Sequence, residues 1–412
     1  MTGAALAPDV PPDGVDAIDL PDGRRVEGLV EAGYGRLMDA FVANFRDRRE
    51  VGAACAVWVE GQPVLDVWGG LADSRSGRAW THDTAAVTFS CTKGILAICV
   101  YDLVQAGLLE LDAPIASVWP SFGAAGKASI SLRQAMAHRS GLPALDTDLT
   151  LADIFAWEPV IRAIERQPPL YPPGVGHVYH AMTYGWIVGE VIRRVTGRSP
   201  GRWFLEAIAD RLALRTWIGL PEGARPTVAW MEPPLPDDDS EEARAAARIA
   251  RENRIVDRAG TMGGAFAFPA ADGRVTFNDP AIQAAEIPGA NGISTAPSLA
   301  RLYAACVSPL AGPPLLTEDS LSDALRVQSA GPQLSGMPDD GARWGTGFQL
   351  SSPPVQPMLG ETSFGHAGAG GQLAFGDAAH RVGFAYLANQ MGGYGDVRAR
   401  ELTVALRASL GA

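Results

Sequence analysis

Apolar positions switch between helical and strand-like spacing along the chain. Leu29, Leu37, Phe41 and Phe45 share one stripe and predict a helix from Leu29 to about Arg48. Two strand-like runs follow, Ala53–Val59 and Pro63–Val67, split by Glu60-Gly61-Gln62, which is a hairpin signal. From Ser90 to Ala106 the chain is apolar on every side, through Ile95, Leu96, Ile98, Val100, Leu103 and Val104. A helix without a polar face is a buried helix, and Gly107 is placed to end it. Residues 110–290 read as helical and loop-rich, with a helix at Ser131–Ala137 and an amphipathic one at Tyr184–Thr196 closed by Gly197. The acidic run Asp237-Asp238-Asp239-Ser240-Glu241-Glu242 predicts a solvated helix start. Strands return at Gln372–Gly376 and Val382–Asn389, around Asp377-Ala378-Ala379-His380, and a last helix covers about Asp396–Ser409. Residues 1 to about 25 are rich in Pro, Gly and Asp and predict an arm. Strands and a helix at both ends, with helices between, predict one sheet built from the two ends of the chain and carrying a helical insertion.

Composition narrows the partners. With 412 residues, 47% hydrophobic and 19% charged, the chain can bury a sizeable core. Its net charge of -12 argues against nucleic acid and anionic membranes, which attract basic faces. No stretch of about 18 apolar residues predicts a transmembrane helix. The cysteines, Cys55, Cys91, Cys99 and Cys306, lack the paired spacing of a zinc site and the density of a disulfide scaffold. They read as free buried thiols in a reducing compartment. The first residues lack a basic start and a long apolar segment, so the expected location is cytoplasmic.

Lysine is nearly absent. Only Lys93 and Lys127 occur among 34 basic residues. Unlike arginine, lysine can lose its proton inside a protein. Lys93 closes Ser90-Cys91-Thr92-Lys93, and residues three apart on a helix lie on one face. Burial lowers a lysine pKa, and a neutral amine can take the proton that makes serine a nucleophile. The alternative is a lysine whose stem is buried and whose head reaches water. Tyr179, in Gly176-His177-Val178-Tyr179-His180-Ala181, can relay protons or serve as a core aromatic. His177 and His180 are three apart, but no acidic third ligand stands at a recognisable spacing, so no metal is assigned. The turn Gly365-His366-Ala367-Gly368-Ala369-Gly370-Gly371 precedes a strand, and small residues there would let a substrate lie against backbone N–H groups. Gly292-Ile293-Ser294-Thr295-Ala296 lacks the closing glycine of a nucleophile elbow.

Together, the Ser-x-x-Lys near residue 90, the Tyr about 90 residues on and the His-x-Gly before the terminal strands resemble the serine β-lactamase and penicillin-binding-protein superfamily. Within it the chain is most similar to the class C β-lactamase-like carboxylesterases of family VIII. Trp68-Gly69-Gly70-Leu71-Ala72-Asp73, Leu109-Glu110-Leu111-Asp112-Ala113-Pro114 and His138-Arg139-Ser140-Gly141-Leu142-Pro143 add to the likeness, which spans about residues 50–390. The resemblance implies an α+β fold, an antiparallel sheet flanked by helices with a mostly helical insertion. Residues 1–80 and 290–412 would form the sheet domain. Residues 81–289 would form the helical domain carrying Ser90, Lys93 and Tyr179, with the site between the two.

The resemblance also implies roles. Ser90 matches the acylated nucleophile, Lys93 its base, and Tyr179 the residue that assists acylation and activates the deacylating water. The backbone N–H groups of Ser90 and Ala369 match the oxyanion hole, and His366 and Gly368 match the third motif. Two departures bear on substrate. His366 stands where the lactamases and peptidases carry the lysine of Lys-Thr-Gly, and Ala181 stands where class C enzymes carry the Asn of Tyr-x-Asn. Both changes remove polar recognition of a β-lactam and leave the Ser–Lys–Tyr chemistry intact. The expected activity is a carboxylesterase acting on an uncharged small-molecule ester, without cofactor or metal. An acyltransferase, an amidase or D-aminopeptidase, a weak β-lactamase and a non-catalytic binding module remain open alternatives. Trp119, Trp157, Trp186, Trp344 and Phe364 line a substrate pocket or belong to the core.

Overall fold

The hairpin read at residues 53–67 is longer in the computed structural model, which describes residues 16–411 apart from 235–243, 245–247, 250–251, 268–272, 274, 354–356 and 394. β3 (Gly52–Val59) and β4 (Gln62–Asp73) meet at Glu60 and Gly61, both left-handed at φ 51° and 79°. Two positive φ values in succession give the turn whose twist suits a hairpin. β1 (Asp16–Asp19) and β2 (Arg25–Val30) pair ahead of it, so part of the expected arm is sheet. Leu29 and Val30 belong to β2, and the first helix begins only at Gly35 and runs to Asp47. Gly33, at φ 97°, breaks the chain between them, which periodicity alone did not reveal.

The C-terminal strands complete the sheet. β9 (Arg343–Trp344), β10 (Gln349–Leu350), β11 (Ser363–Gly368), β12 (Gln372–Asp377) and β13 (Val382–Ala388) follow one another, and the order is β1-β2-β4-β3-β13-β12-β11-β10-β9. Every pairing on this path is antiparallel, and β3 against β13 joins the two ends of the chain. β5 (Arg78–Ala79) pairs with β4 at the side.

Both faces of the sheet are covered, so its central strands are buried throughout rather than alternating. Cys55, Val57, Phe384 and Tyr386 face Phe41 and Phe45 of helix Gly35–Asp47 and Leu402 and Leu406 of helix Arg398–Leu410. Ala54, Ala56, Ala374 and Ala385 face the other way, towards helix Ala296–Val307. These small side chains let that helix approach closely. A Cβ on Gly383 would overlap the Ala300 carbonyl.

Helix Cys91–Gln105 lies on this second side, within the main core, and Gly107 follows it at φ 70°. Helix Thr183–Thr196 is capped by left-handed Gly197. Its first ten residues are all buried, so it is a core helix over most of its length, not an amphipathic one. A small second sheet, β6 (Ala86–Phe89), β8 (Gly292–Ser294) and β7 (Thr216–Trp217), introduces helix Cys91–Gln105. The acidic run at 237–242 lies outside the described residues. Among the described residues, no helix is long and apolar enough to cross a membrane.

Candidate active site

Ser90 stands where β6 turns into helix Cys91–Gln105. Phe89, just before it, is left-handed at φ 45°, a conformation a bulky side chain adopts only when its surroundings impose it. Two buried threonines impose it. Thr92 Oγ1 donates to the Phe89 carbonyl at 2.5 Å and accepts from Gly292 N at 2.8 Å. Thr88 Oγ1 donates to the Gly292 carbonyl at 3.1 Å. A Cβ at Gly292 would stand 2.6 Å from Thr92 Oγ1 and 2.8 Å from Thr88 Oγ1, so glycine is needed there. Ser90 occupies the N-cap position, yet its side chain makes no capping bond, and its hydroxyl is left to two other partners.

Those partners are Lys93 and Tyr179. Lys93 Nζ lies 3.0 Å from Ser90 Oγ, 2.8 Å from the Ala181 carbonyl and 2.7 Å from the Gly289 carbonyl. The lysine is 0% exposed, so its head does not reach water. Burial lowers its pKa to about 7. Tyr179 Oη donates to Ser90 Oγ at 2.8 Å. Burial pushes the phenol upward, which keeps it protonated and a donor. Tyr179 is held from several sides: its N–H donates to Gln333 Oε1 at 2.9 Å, its ring stacks on Trp344 at 5.2 Å, and His138 packs 4.8 Å away. Ala181 contributes its carbonyl to Lys93, a contact that the identity of its side chain did not suggest.

The third motif arrives on β11. The Cys91 thiol donates to the His366 carbonyl at 3.0 Å and ties this strand to the serine helix. A Cβ on Gly368 would overlap the Thr88 carbonyl, so glycine brings the end of β11 against the segment leading into Ser90. Ala369, next along, is exposed. His366 is 2% exposed, and its Nδ1 lies 2.6 Å from the Ala367 carbonyl. Nδ1–H therefore donates there, which leaves Nε2 as a bare acceptor. Burial, with Lys93 nearby, lowers the His366 pKa to about 3, so the ring is neutral at the position where the lactamases and peptidases carry a lysine.

His180 spends both ring nitrogens inside the protein, Nδ1 on the Val178 carbonyl at 2.6 Å and Nε2 on Ser140 Oγ at 2.7 Å. Among the described residues, no group of three or more His, Cys, Asp or Glu is placed to hold a metal ion. Trp119, Trp186 and Phe364 are core, each 0% exposed, and Trp157 donates to Glu190 Oε2 at 2.9 Å. Trp344 alone of these aromatics packs on Tyr179 and His366. Sequence reading gave no role to the Gly289 carbonyl or to His138. His138 is left-handed at φ 62° and accepts the His180 N–H at 3.2 Å. Its motif was visible, but nothing in the spelling showed that it packs on Tyr179.

A hydroxyl shared by a buried amine and a buried phenol, at the start of a helix against an antiparallel sheet, is the constellation that the sequence resemblance implies. The family model described as Beta-lactamase matches residues 36–409, and the chain belongs to that family. Among curated relatives, the "Esterase/beta-lactamase LipL" of Mycobacterium tuberculosis (strain ATCC 25618 / H37Rv) is 33% identical over 92% of this chain and 86% of its own length. Esterase EstB of Burkholderia gladioli is 28% identical over 58% of this chain and 67% of its own. Among solved structures, a family VIII carboxylesterase superposes with a TM-score of 0.82 at 31% identity, covering 93% of this chain and 99% of the other. A penicillin-binding protein homologue from Caulobacter crescentus gives 0.79 at 32% identity, with the same coverage.

Proposed function

We propose that the protein is a serine carboxylesterase that hydrolyses small or medium uncharged esters through an acyl-Ser90 intermediate. The observation that carries this reading is the Ser90 hydroxyl, 3.0 Å from the Lys93 amine and 2.8 Å from the Tyr179 hydroxyl. With Lys93 neutral, its two N–H groups stay on the Ala181 and Gly289 carbonyls, and its lone pair faces Ser90. The lone pair takes the Ser90 proton as Oγ bonds to the ester carbonyl carbon. The carbonyl electron pair moves onto oxygen, which the N–H groups of Ser90 and Ala369 receive. When the carbonyl re-forms, the alkoxide leaves and takes a proton from Tyr179, and the Lys93 ammonium restores the phenol. Water then repeats the sequence on acyl-Ser90 and gives its proton up to Tyr179 and Lys93. The acid leaves, and Ser90 recovers its hydroxyl.

Two features favour uncharged esters. The third motif offers a neutral imidazole where a substrate carboxylate would need a cation, and Ala181 has no amide to hold an acylamido chain. His366, Gly368 and Ala181 form the substrate side of this proposal. We assign the sheet domain to residues 1–80 and 290–412 and the helical domain to 81–289, with the site between them. The four free buried cysteines suit a reducing, cytoplasmic setting.

The test is hydrolysis of p-nitrophenyl acetate and butyrate beside nitrocefin, in wild type and Ser90→Ala. Ester turnover that disappears in the variant, with little nitrocefin cleavage, is the expected result. Ester turnover that persists in Ser90→Ala would refute the mechanism. Strong nitrocefin turnover would move the substrate to β-lactams, the second activity in the name of the esterase/beta-lactamase LipL. Failure of Ser90 to react with a fluorophosphonate would favour the binding module.

A further inference from the structure

The loop Ala369-Gly370-Gly371 is held from beneath by a buried ion cluster that none of the chemistry above uses. Arg398, 3% exposed, donates through Nη2 to the Gly370 carbonyl at 2.9 Å and to the Gln390 carbonyl at 2.8 Å. Its Nη1 pairs with Glu50 Oε2, and Nε and Nη2 pair with Asp396 at 3.1 and 2.7 Å. Glu50 is itself fixed by the Tyr386 hydroxyl at 2.6 Å and the Val51 N–H at 3.1 Å. Gly392 N–H adds a second donor to the Gly370 carbonyl at 3.0 Å. Gly370 and Gly371 are left-handed at φ 84° and 102°, and a Cβ on Gly371 would overlap the Asp396 carboxylate.

A buried ion cluster is a poor way to gain stability, because desolvation offsets the attraction. Its value lies in geometry. A planar guanidinium bonded through all three of its nitrogens, to Glu50, Asp396 and two backbone carbonyls, is held in one orientation, and it fixes the Gly370 carbonyl in one place.

We propose that Arg398, oriented by Glu50 and Asp396, is a positioning residue for the oxyanion hole. It holds the Gly370 carbonyl so that the neighbouring Ala369 N–H faces the developing oxyanion. The proposal rests on the reading of Ala369 as one arm of that hole.

The experiment compares a p-nitrophenyl ester with its thiono analogue, in which sulfur replaces the carbonyl oxygen and accepts hydrogen bonds poorly. Wild type is expected to prefer the oxygen ester by about 100-fold, as a working oxyanion donor requires. Arg398→Met is expected to lower kcat for the oxygen ester by about 10- to 100-fold and to shrink that preference about tenfold, with KM little changed, because small misplacements are costly. Arg398→Lys is expected to recover part of both. If Arg398→Met does not fold, Asp396→Asn, which keeps the shape and removes the charge, carries the same comparison with a smaller effect. A variant with lower thermal stability and lower kcat but an undiminished oxygen preference would overturn the proposal and make the cluster purely structural. A native kcat and preference would overturn it as well. Loss of preference in wild type itself would refute the Ala369 reading first, and it shows before any variant is made.

Discussion

Lys93 and Lys127 are both fully buried, and three oxygens surround each Nζ. Around Lys127 all three are backbone carbonyls, those of Ala124, Glu165 and Gln167, at 2.9, 2.8 and 2.7 Å. An amine has only two N–H groups and would leave one carbonyl bare, so that site favours ammonium. Around Lys93 one acceptor is a hydroxyl, which can turn round and donate, so the amine form loses nothing. The protonated form of Lys93 is inactive as a base, and its pKa lies near 7. Ester kcat/KM should therefore rise with pH through about 7 and level above it. A flat profile from pH 5 to 9 would contradict Lys93 as the base. Lys93→Arg should lose activity at every pH, since guanidinium keeps its proton. Lys127→Met should cost about 2–4 kcal/mol in urea unfolding, through carbonyls stripped of their donor, while kcat stays within about twofold. Tyr179→Phe keeps the Trp344 stack and removes the proton donor, so kcat should fall about 100-fold or more.

At the scale of the element, the turn from β6 into the serine helix stores its strain at Phe89 and contains it with Thr88, Thr92 and Gly292. Gly292→Ala pushes a methyl group against both hydroxyls. It should lower stability by about 1–3 kcal/mol and reduce kcat with it, measured by thermal melting and ester assay. The helix itself was legible in its all-round apolar sequence, and the hairpin at residues 53–67 in two apolar runs split by Glu60-Gly61-Gln62, because both signals are local. The site was legible as three separate spellings, which the fold brings to one hydroxyl. What escaped was whatever depends on distant neighbours. β1 has four exposed residues and is strand only because β2 accepts it. Helix Thr183–Thr196 looked amphipathic, but tertiary packing covers its polar positions too, Glu190 among them at 0% exposed. The surroundings of His366 were not legible either. Its burial and its bond to the Ala367 carbonyl come from β11 being seated against the Cys91 thiol.

For the whole molecule, the sheet binds together the first and last parts of the chain, and the alanine face at its centre is a close seam. Gly383→Val should prevent helix Ala296–Val307 from seating on β13 and lower the melting temperature by several degrees or abolish folding, while a β-branched residue would suit an isolated strand.

The pairing of β3 with β13 matches Ala53 with Ala388. During synthesis, β3 leaves the ribosome more than three hundred residues before β13, its partner on that edge, exists. Until then the inner edge of β3 is an unpaired, apolar strand of the kind that seeks other chains. Closing so long a loop is slow, and contacts this distant delay folding. The serine helix is made early, but the strand end that brings Ala369 beside it comes only with the last tenth or so of the sequence. The newborn chain thus carries its nucleophile for most of its synthesis without the machinery to use it. Stalled chains ending before Val382 should be protease-sensitive and unreactive towards a serine-directed fluorophosphonate. A chain released at full length should gain both protection and labelling in a single slow phase.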